Sequence, residues 1–195
     1  MSESTRWVTE HGAGHSQWYI DRFRRMAAEG TDLGGEARFL DAMLVPGSRV
    51  LDAGGGSGRV AAELASRGPA VVGVDADDQL VDAARTAHPG PTWVCADLAE
   101  LDLAEAFDAA LCVGNVMAFV AAGTEGVVLE RIAAHVRADG VVVVGCGTDR
   151  GYPLTDFDTH ATDAGLELEH RFATFDLRPW QDDAAFAVSV LRRPA

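Results

Sequence analysis

Short apolar runs alternating with amphipathic stretches predict an α/β fold: a doubly wound, mostly parallel sheet of seven strands closed by a C-terminal antiparallel hairpin. Three observations carry this reading. Apolar runs near 49–52, 70–75, 92–96, 107–113 and 140–146 alternate with helix-patterned stretches near 59–67, 78–87, 124–137 and 154–164, and such strict alternation implies right-handed crossovers with helices on both faces. The last two runs, 166–177 and 184–191, are extended and joined only by the turn-like Arg178-Pro179-Trp180-Gln181-Asp182-Asp183, so with no helix between them they pair antiparallel. Finally, Asp52-Ala53-Gly54-Gly55-Gly56-Ser57-Gly58 ends the first apolar run in an acid and opens directly into a loop of four glycines, at the strand end where open α/β sheets hold ligands.

Residues 17–28 and 36–44 read as two helices, and the segment ahead of the sheet carries Trp7, Trp18, Tyr19, Phe23, Met26 and Phe39. That is too much apolar surface for a disordered tail. Residues 1–46 are therefore expected to form a helical lid over a core of residues 47–195. In the core, Val50 and Leu51 close the first strand. Glycine beyond them takes positive φ and lets a ligand lie against the backbone, and the helix start is expected to leave N–H groups free for that ligand. Four glycines with nothing to serve would cost about 0.5–1 kcal/mol each, so the loop reads as a cofactor cradle. The next run, Ala70-Val71-Val72-Gly73-Val74, ends in Asp75, which suits two ribose hydroxyls, while Asp77 can cap the following helix. The third run, Thr92-Trp93-Val94-Cys95-Ala96, leads into Asp97-Leu98.

Gly56-Ser57-Gly58-Arg59-Val60-Ala61 satisfies the G-x-G-x-x-G/A dinucleotide pattern. That pattern begins right after a strand, however, and here an Asp and a further Gly intervene. D-x-G-x-G-x-G is the better match, and with it the chain resembles the class I S-adenosylmethionine-dependent methyltransferases over residues 47–193. The resemblance implies a Rossmann-like sheet, S-adenosyl-L-methionine as cofactor, and a cofactor site at Asp52, Gly54, Gly55, Gly56, Asp75, Ala76, Asp97, Leu98 and Val113, with Asp97 at the adenine amine and Leu98 and Ala76 beside the ring. The implied reaction moves the sulfonium methyl group to a small-molecule acceptor by in-line displacement, which alignment can drive without a covalent intermediate. A non-catalytic cofactor-binding or regulatory module is the alternative. A nicotinamide-dependent oxidoreductase is the weaker one, because the chain has no lysine for a Tyr-x-x-x-Lys pair.

The acceptor is expected beyond the fourth and fifth strands, which end in Val113-Gly114-Asn115-Val116-Met117-Ala118-Phe119 and Cys146-Gly147-Thr148-Asp149-Arg150-Gly151-Tyr152. Asn115, Phe119, Arg150, Tyr152 and Trp180 are the candidate lining. An apolar pocket with one cationic contact, from Arg150 or Arg178, would take small, partly planar, neutral or anionic acceptors. Relative to the family, Asn115-Val116-Met117-Ala118 lacks the Asn/Asp-Pro-Pro-Tyr/Phe box of enzymes that methylate nucleobase or glutamine amines, and the Asp of a magnesium-dependent catechol site. His15, Asp149 and His160 are candidate bases by position alone, and no catalytic residue is assigned. His11 and His15 have i, i+4 spacing, but Gly12 and Gly14 break a helix there, so no metal is expected.

Composition fits one domain: 195 residues, 48% hydrophobic, enough for a sizeable core. A net charge of −14 argues against nucleic acid. Residues 1–5 lack a leader-like pattern and no stretch approaches the ~20 apolar residues of a membrane span, so a cytoplasmic protein with no membrane partner, monomeric or homodimeric, is expected. Cys95, Cys112 and Cys146 lie in apolar strands without C-x-x-C spacing and read as buried reduced thiols.

Overall fold

In the computed structural model, which describes residues 4–12 and 14–195, the apolar runs become strands of one sheet. These are β1 (Arg49–Ala53), β2 (Ala70–Asp75), β3 (Thr92–Cys95), β4 (Phe107–Cys112), β5 (Val136–Gly147), β6 (Glu167–Phe172) and β7 (Phe186–Arg192), in the order β3-β2-β1-β4-β5-β7-β6. Strands β1 to β5 pair parallel, β7 runs antiparallel to β5, and β6 antiparallel to β7. The expected hairpin is therefore present, with its second strand inserted next to β5. Ala53 faces Val74 across one ladder and Asp75 faces Cys95 across the next, so the chain leaves β1, β2 and β3 at one edge. Strand order reverses between β1 and β4, the switch point at which a crevice opens.

The helices are α1 (Arg6–Thr9), α2 (His15–Ala28), α3 (Gly35–Asp41), α4 (Arg59–Arg67), α5 (Asp78–Ala87), α6 (Val116–Phe119), α7 (Glu125–His135) and α8 (Leu154–Asp163). Alternation along β1 sends Leu51 to one face, where it joins Val74, Phe107, Leu129 and Ile132 under α7 and α8. Val50 goes to the other face, among Leu40, Leu64, Val81 and Trp93 under α3, α4 and α5. Each fully buried aliphatic side chain contributes roughly 1.5–3 kcal/mol. Among the described residues no helix is long and apolar enough to cross a membrane.

Both α4 and α5 begin and end where the sequence places them. Gly58 and Gly68 flank α4 in backbone conformations that favour glycine (φ 89° and 124°), and Asp77 caps α5 by accepting the Leu80 N–H at 3.0 Å. Elsewhere tertiary contacts shift the limits. β5 starts at Val136, earlier than expected, because Val136 pairs with Phe107 before a bulge resets the register at Ala109. The run 166–177 is a strand only to Phe172; beyond it the chain folds back so that Phe172 bridges Pro179. Phe175 in that turn packs against Phe39 and Phe186, with ring centroids at 5.7 and 5.9 Å. Cys112 and Cys146 are buried, but Cys95 is exposed, because β3 lies at the sheet edge. Residues 1–3 and 13 of the expected lid lie outside the described residues.

Candidate functional site

The glycine loop is shaped by close approach rather than by amide donation. Gly54 has φ 83°, and a Cβ there would overlap the Val116 side chain of α6; a Cβ on Gly58 would stand 2.7 Å from the Trp93 ring. Three amides of the loop itself are used by the protein: the Gly54 and Gly55 N–H groups donate to Val74 O (2.8 and 2.9 Å) and that of Gly56 to Asp75 Oδ2 (2.8 Å). Asp52 also departs from expectation. It is 2% exposed and sits beneath the loop, off the cleft. Its carboxyl accepts the Ala61 N–H at the start of α4, a helix-end donor that would otherwise be orphaned, while Oδ2 has no partner among the described residues.

Burial, helped by the neighbouring Asp75 and opposed by Arg59, pushes the Asp52 pKa up to about 7. The folded-state pKa lies above the unfolded value, so the protonated acid favours folding, and that contribution is lost as pH rises toward about 7, a swing of roughly 4 kcal/mol at most. Asp52→Asn is expected to flatten the pH dependence of Tm between about pH 4 and about pH 7. Parallel melting curves for variant and wild type across that range would contradict it.

A cleft lies over the carboxyl ends of β1 to β4. Gly54, Gly56, Asp75, Ala76, Asp97, Leu98 and Val113 line it, as do Leu80, Gly114 and Val116. Asp75 is fixed by two amides, accepting from Gly56 at 2.8 Å and Asp77 at 3.0 Å. Burial raises its pKa, and these bonds counter the rise. Asp97 accepts the Ala99 N–H at 2.9 Å. Gly55 is absent from the lining, its face turned to Asp52 and Trp93.

The N-terminal segment crosses this cleft. Arg6 is anchored on the β4 bank, donating from Nε to Val120 O at 3.0 Å and pairing with Glu125. Trp7, the next residue, is anchored on the β2 bank, its Nε1–H donating to Asp77 Oδ2 at 2.9 Å; Ser16 of α2 donates to the same oxygen. Thr5, Trp7 and Tyr19 therefore roof the cleft opposite the glycine loop. The Trp7 ring also meets His11, His15, Tyr19 and Phe119 at centroid distances of 4.5–5.5 Å. His11 and His15 stack at 3.9 Å, and burial followed by the charge of His11 lowers the His15 pKa.

The five candidate acceptor residues are not brought together. Phe119 lines the cleft. Asn115, with φ 68°, turns its Oδ1 to the Gly147 N–H at 2.7 Å and ties the β4 and β5 loops. Tyr152 is buried, and its hydroxyl meets His160 Nδ1 at 2.8 Å. Trp180 packs on the far side, 5.8 Å from the Arg171 guanidinium, which pairs with Asp158 of α8. Arg150 and Arg178 are exposed beside Asp149 and Asp176. Among the described residues no arginine lines the cleft, and the charged ones that do are Asp75, Asp77 and Asp97.

A solved structure, that of a TehB-like SAM-dependent methyltransferase from Corynebacterium glutamicum, is 39% identical to this chain and superposes with a TM-score of 0.90, with 93% of this chain covering 100% of that one. The chain belongs to the S-adenosylmethionine-dependent methyltransferases. The family described as a methyltransferase domain matches residues 50–140 of this methyltransferase, the stretch that builds the cleft floor. Two curated relatives match about half of the chain: a ribosomal protein L11 methyltransferase of Symbiobacterium thermophilum, 38% identical over 53% of this chain, and a ubiquinone biosynthesis O-methyltransferase of Bradyrhizobium diazoefficiens, 34% identical over 50%. The matches span only 33% and 39% of those relatives.

The methyltransferase cleft fits its cofactor by chemistry. The cofactor supplies an activated sulfonium methyl group. Leu98, Ala76 and Leu80 offer apolar surface for a planar base, the Asp75 carboxylate offers acceptors for a diol, and the acidic lining suits a cation. Thr5, Trp7, Gly114 and Val116 were not foreseen as lining because their place depends on how the N-terminal segment and α6 dock. Asp77 was foreseen only as a cap; its second oxygen, turned to Trp7 and Ser16, carries no sequence signal.

Proposed function

We propose that this methyltransferase moves the sulfonium methyl group to a small-molecule acceptor, with residues 1–46 acting as a lid. The observation that carries the reading is the strap formed by consecutive residues Arg6 and Trp7, anchored on opposite banks of the cleft. A roof of that kind leaves room for a small acceptor and excludes water from the displacement. The site contributes alignment: Asp75, Ala76, Asp97 and Leu98 hold the nucleoside, and Trp7, Tyr19 and Phe119 crowd the acceptor side. Because the charged lining among the described residues is carboxylate, we revise the acceptor to neutral or cationic rather than anionic. The relatives' acceptors do not decide this, since the matches span only 33% and 39% of those relatives. A net charge of −14 weighs against nucleic acid, and the reading is of a cytoplasmic monomer or homodimer.

Calorimetry with S-adenosylhomocysteine, then transfer of a labelled methyl group to a panel of small amines, phenols and carboxylates, tests the proposal. Amines or phenols should be labelled and carboxylates should not. Tight binding with no labelled acceptor would favour a non-catalytic module. Trp180→Ala is expected to leave both cofactor affinity and turnover within about twofold, because the ring packs on Arg171 and not in the cleft. A large loss of turnover would return Trp180 to the acceptor site.

A further inference from the structure

The methionine arm of the cofactor carries an ammonium and a carboxylate, and among the described residues the cleft lining holds no cation to meet the second. Chemistry orders the ligand along the cleft. The planar base needs the apolar surface of Leu98, Ala76 and Leu80, the diol needs the Asp75 carboxylate, and the arm is left to the glycine-loop end. Arg59 lies near that end but is fully engaged: it donates to Glu36 at 2.6 and 2.9 Å and to Leu33 O at 2.7 Å, and lies 5.0 Å from the Phe23 ring. The Gly54, Gly55 and Gly56 amides are spent on Val74 and Asp75. The Tyr19 hydroxyl is an uncommitted side-chain donor at that end. The Tyr19 ring is held edge-on between Trp7 (5.4 Å) and Phe23 (4.8 Å), and its hydroxyl lies 3.3 Å from where a Gly56 Cβ would stand. That hydroxyl lines the cleft and makes no hydrogen bond among the described residues.

We propose that the Tyr19 hydroxyl donates to the carboxylate of the cofactor's methionine arm, making α2 part of the cofactor site. The inference rests on the cofactor's being S-adenosylmethionine. Burial raises the Tyr19 pKa, so the phenol stays a donor throughout the working pH range. A hydroxyl donating to a carboxylate is charge-assisted. It would also report occupancy to the lid: the helix that carries Tyr19 is tied through Ser16 to Asp77, whose own N–H donates to Asp75 at 3.0 Å. Filling the arm end of the cleft thus holds α2 down at the same place where Asp77 latches it.

The test is a ligand-and-residue cycle by calorimetry, using S-adenosylhomocysteine and its decarboxylated analogue on wild type and Tyr19→Phe, a change that keeps the ring and its packing. Wild type should prefer the carboxylate-bearing ligand by about tenfold or more, and Tyr19→Phe should lose most of that preference, weakening S-adenosylhomocysteine about tenfold while leaving the analogue within about twofold. Equal weakening of both ligands would assign Tyr19 to lid packing and overturn the proposal, as would a preference that survives in Tyr19→Phe. Wild-type protein that binds neither compound would overturn the cofactor reading itself, and the proposal with it.

Discussion

Asp75→Ala is expected to weaken S-adenosylhomocysteine binding about 30-fold or more, equivalent to about 2 kcal/mol or more. The side chain does two things at once. It presents a carboxylate to the cleft, and it fixes the loop around itself by accepting the Gly56 and Asp77 amides. Alanine removes the ribose acceptor and leaves two part-buried N–H groups without their partner, so some loss of Tm accompanies the loss of affinity. Asp75→Asn separates the effects, since its amide oxygen can still accept one of those N–H groups: it should keep more of the stability than alanine does while losing affinity. Burial raises the Asp75 pKa, so affinity should fall on acidification sooner than an ordinary aspartate would allow, because the protonated acid loses acceptor capacity. Calorimetric titrations of both variants, with circular dichroism as the folding control, check this. Unchanged affinity in Asp75→Ala would remove Asp75 from the cofactor site.

The fold was legible because its signals are local. The glycines at 58 and 68 and the cap at Asp77 mark helix ends by backbone preference and side-chain acceptance, and the apolar runs mark strands by burial on two faces. What the sequence places well is the edge at which a residue leaves the sheet; what it does not place is the direction a loop side chain then takes. Asp52, Asp75 and Asp97 look alike as acids near strand ends. Only the latter two line the cleft, since Asp52 comes one residue before the end of β1 and turns under the loop to the N-terminus of α4. Trp180 sits at the right edge and packs on the wrong side, drawn there by Arg171. α1 and α6 are single turns of 4 residues each, too short for a period to show. Trp7 was visible as apolar surface in need of cover, but its hydrogen bond to Asp77, 70 residues away, is a tertiary fact.

Deleting residues 1–30 is expected to leave a folded sheet and to abolish nearly all turnover. Both hydrophobic clusters on the sheet faces are built without this segment, of which Ile20 is the buried hydrophobic residue among those described, so circular dichroism and a cooperative melt should survive with a lowered Tm. Cofactor affinity should not survive unchanged. The deletion takes away Thr5, Trp7 and Tyr19, the whole roof of the cleft, and leaves the carboxylates of the lining facing water, where their attraction for a cation is screened. Turnover suffers more than binding, because an open cleft loses the alignment and the dryness that make an in-line displacement fast. Opening one bank alone gives an intermediate case. Trp7→Phe keeps the ring but removes the donor to Asp77 while Arg6 still holds Val120 and Glu125, so it should loosen the strap without removing the roof. Protease cleavage ahead of α2 in the presence of S-adenosylhomocysteine then reports the strap directly: slow in wild type, faster in Trp7→Phe. If the truncated protein binds S-adenosylhomocysteine as tightly as the full chain, the segment is packing and not a lid.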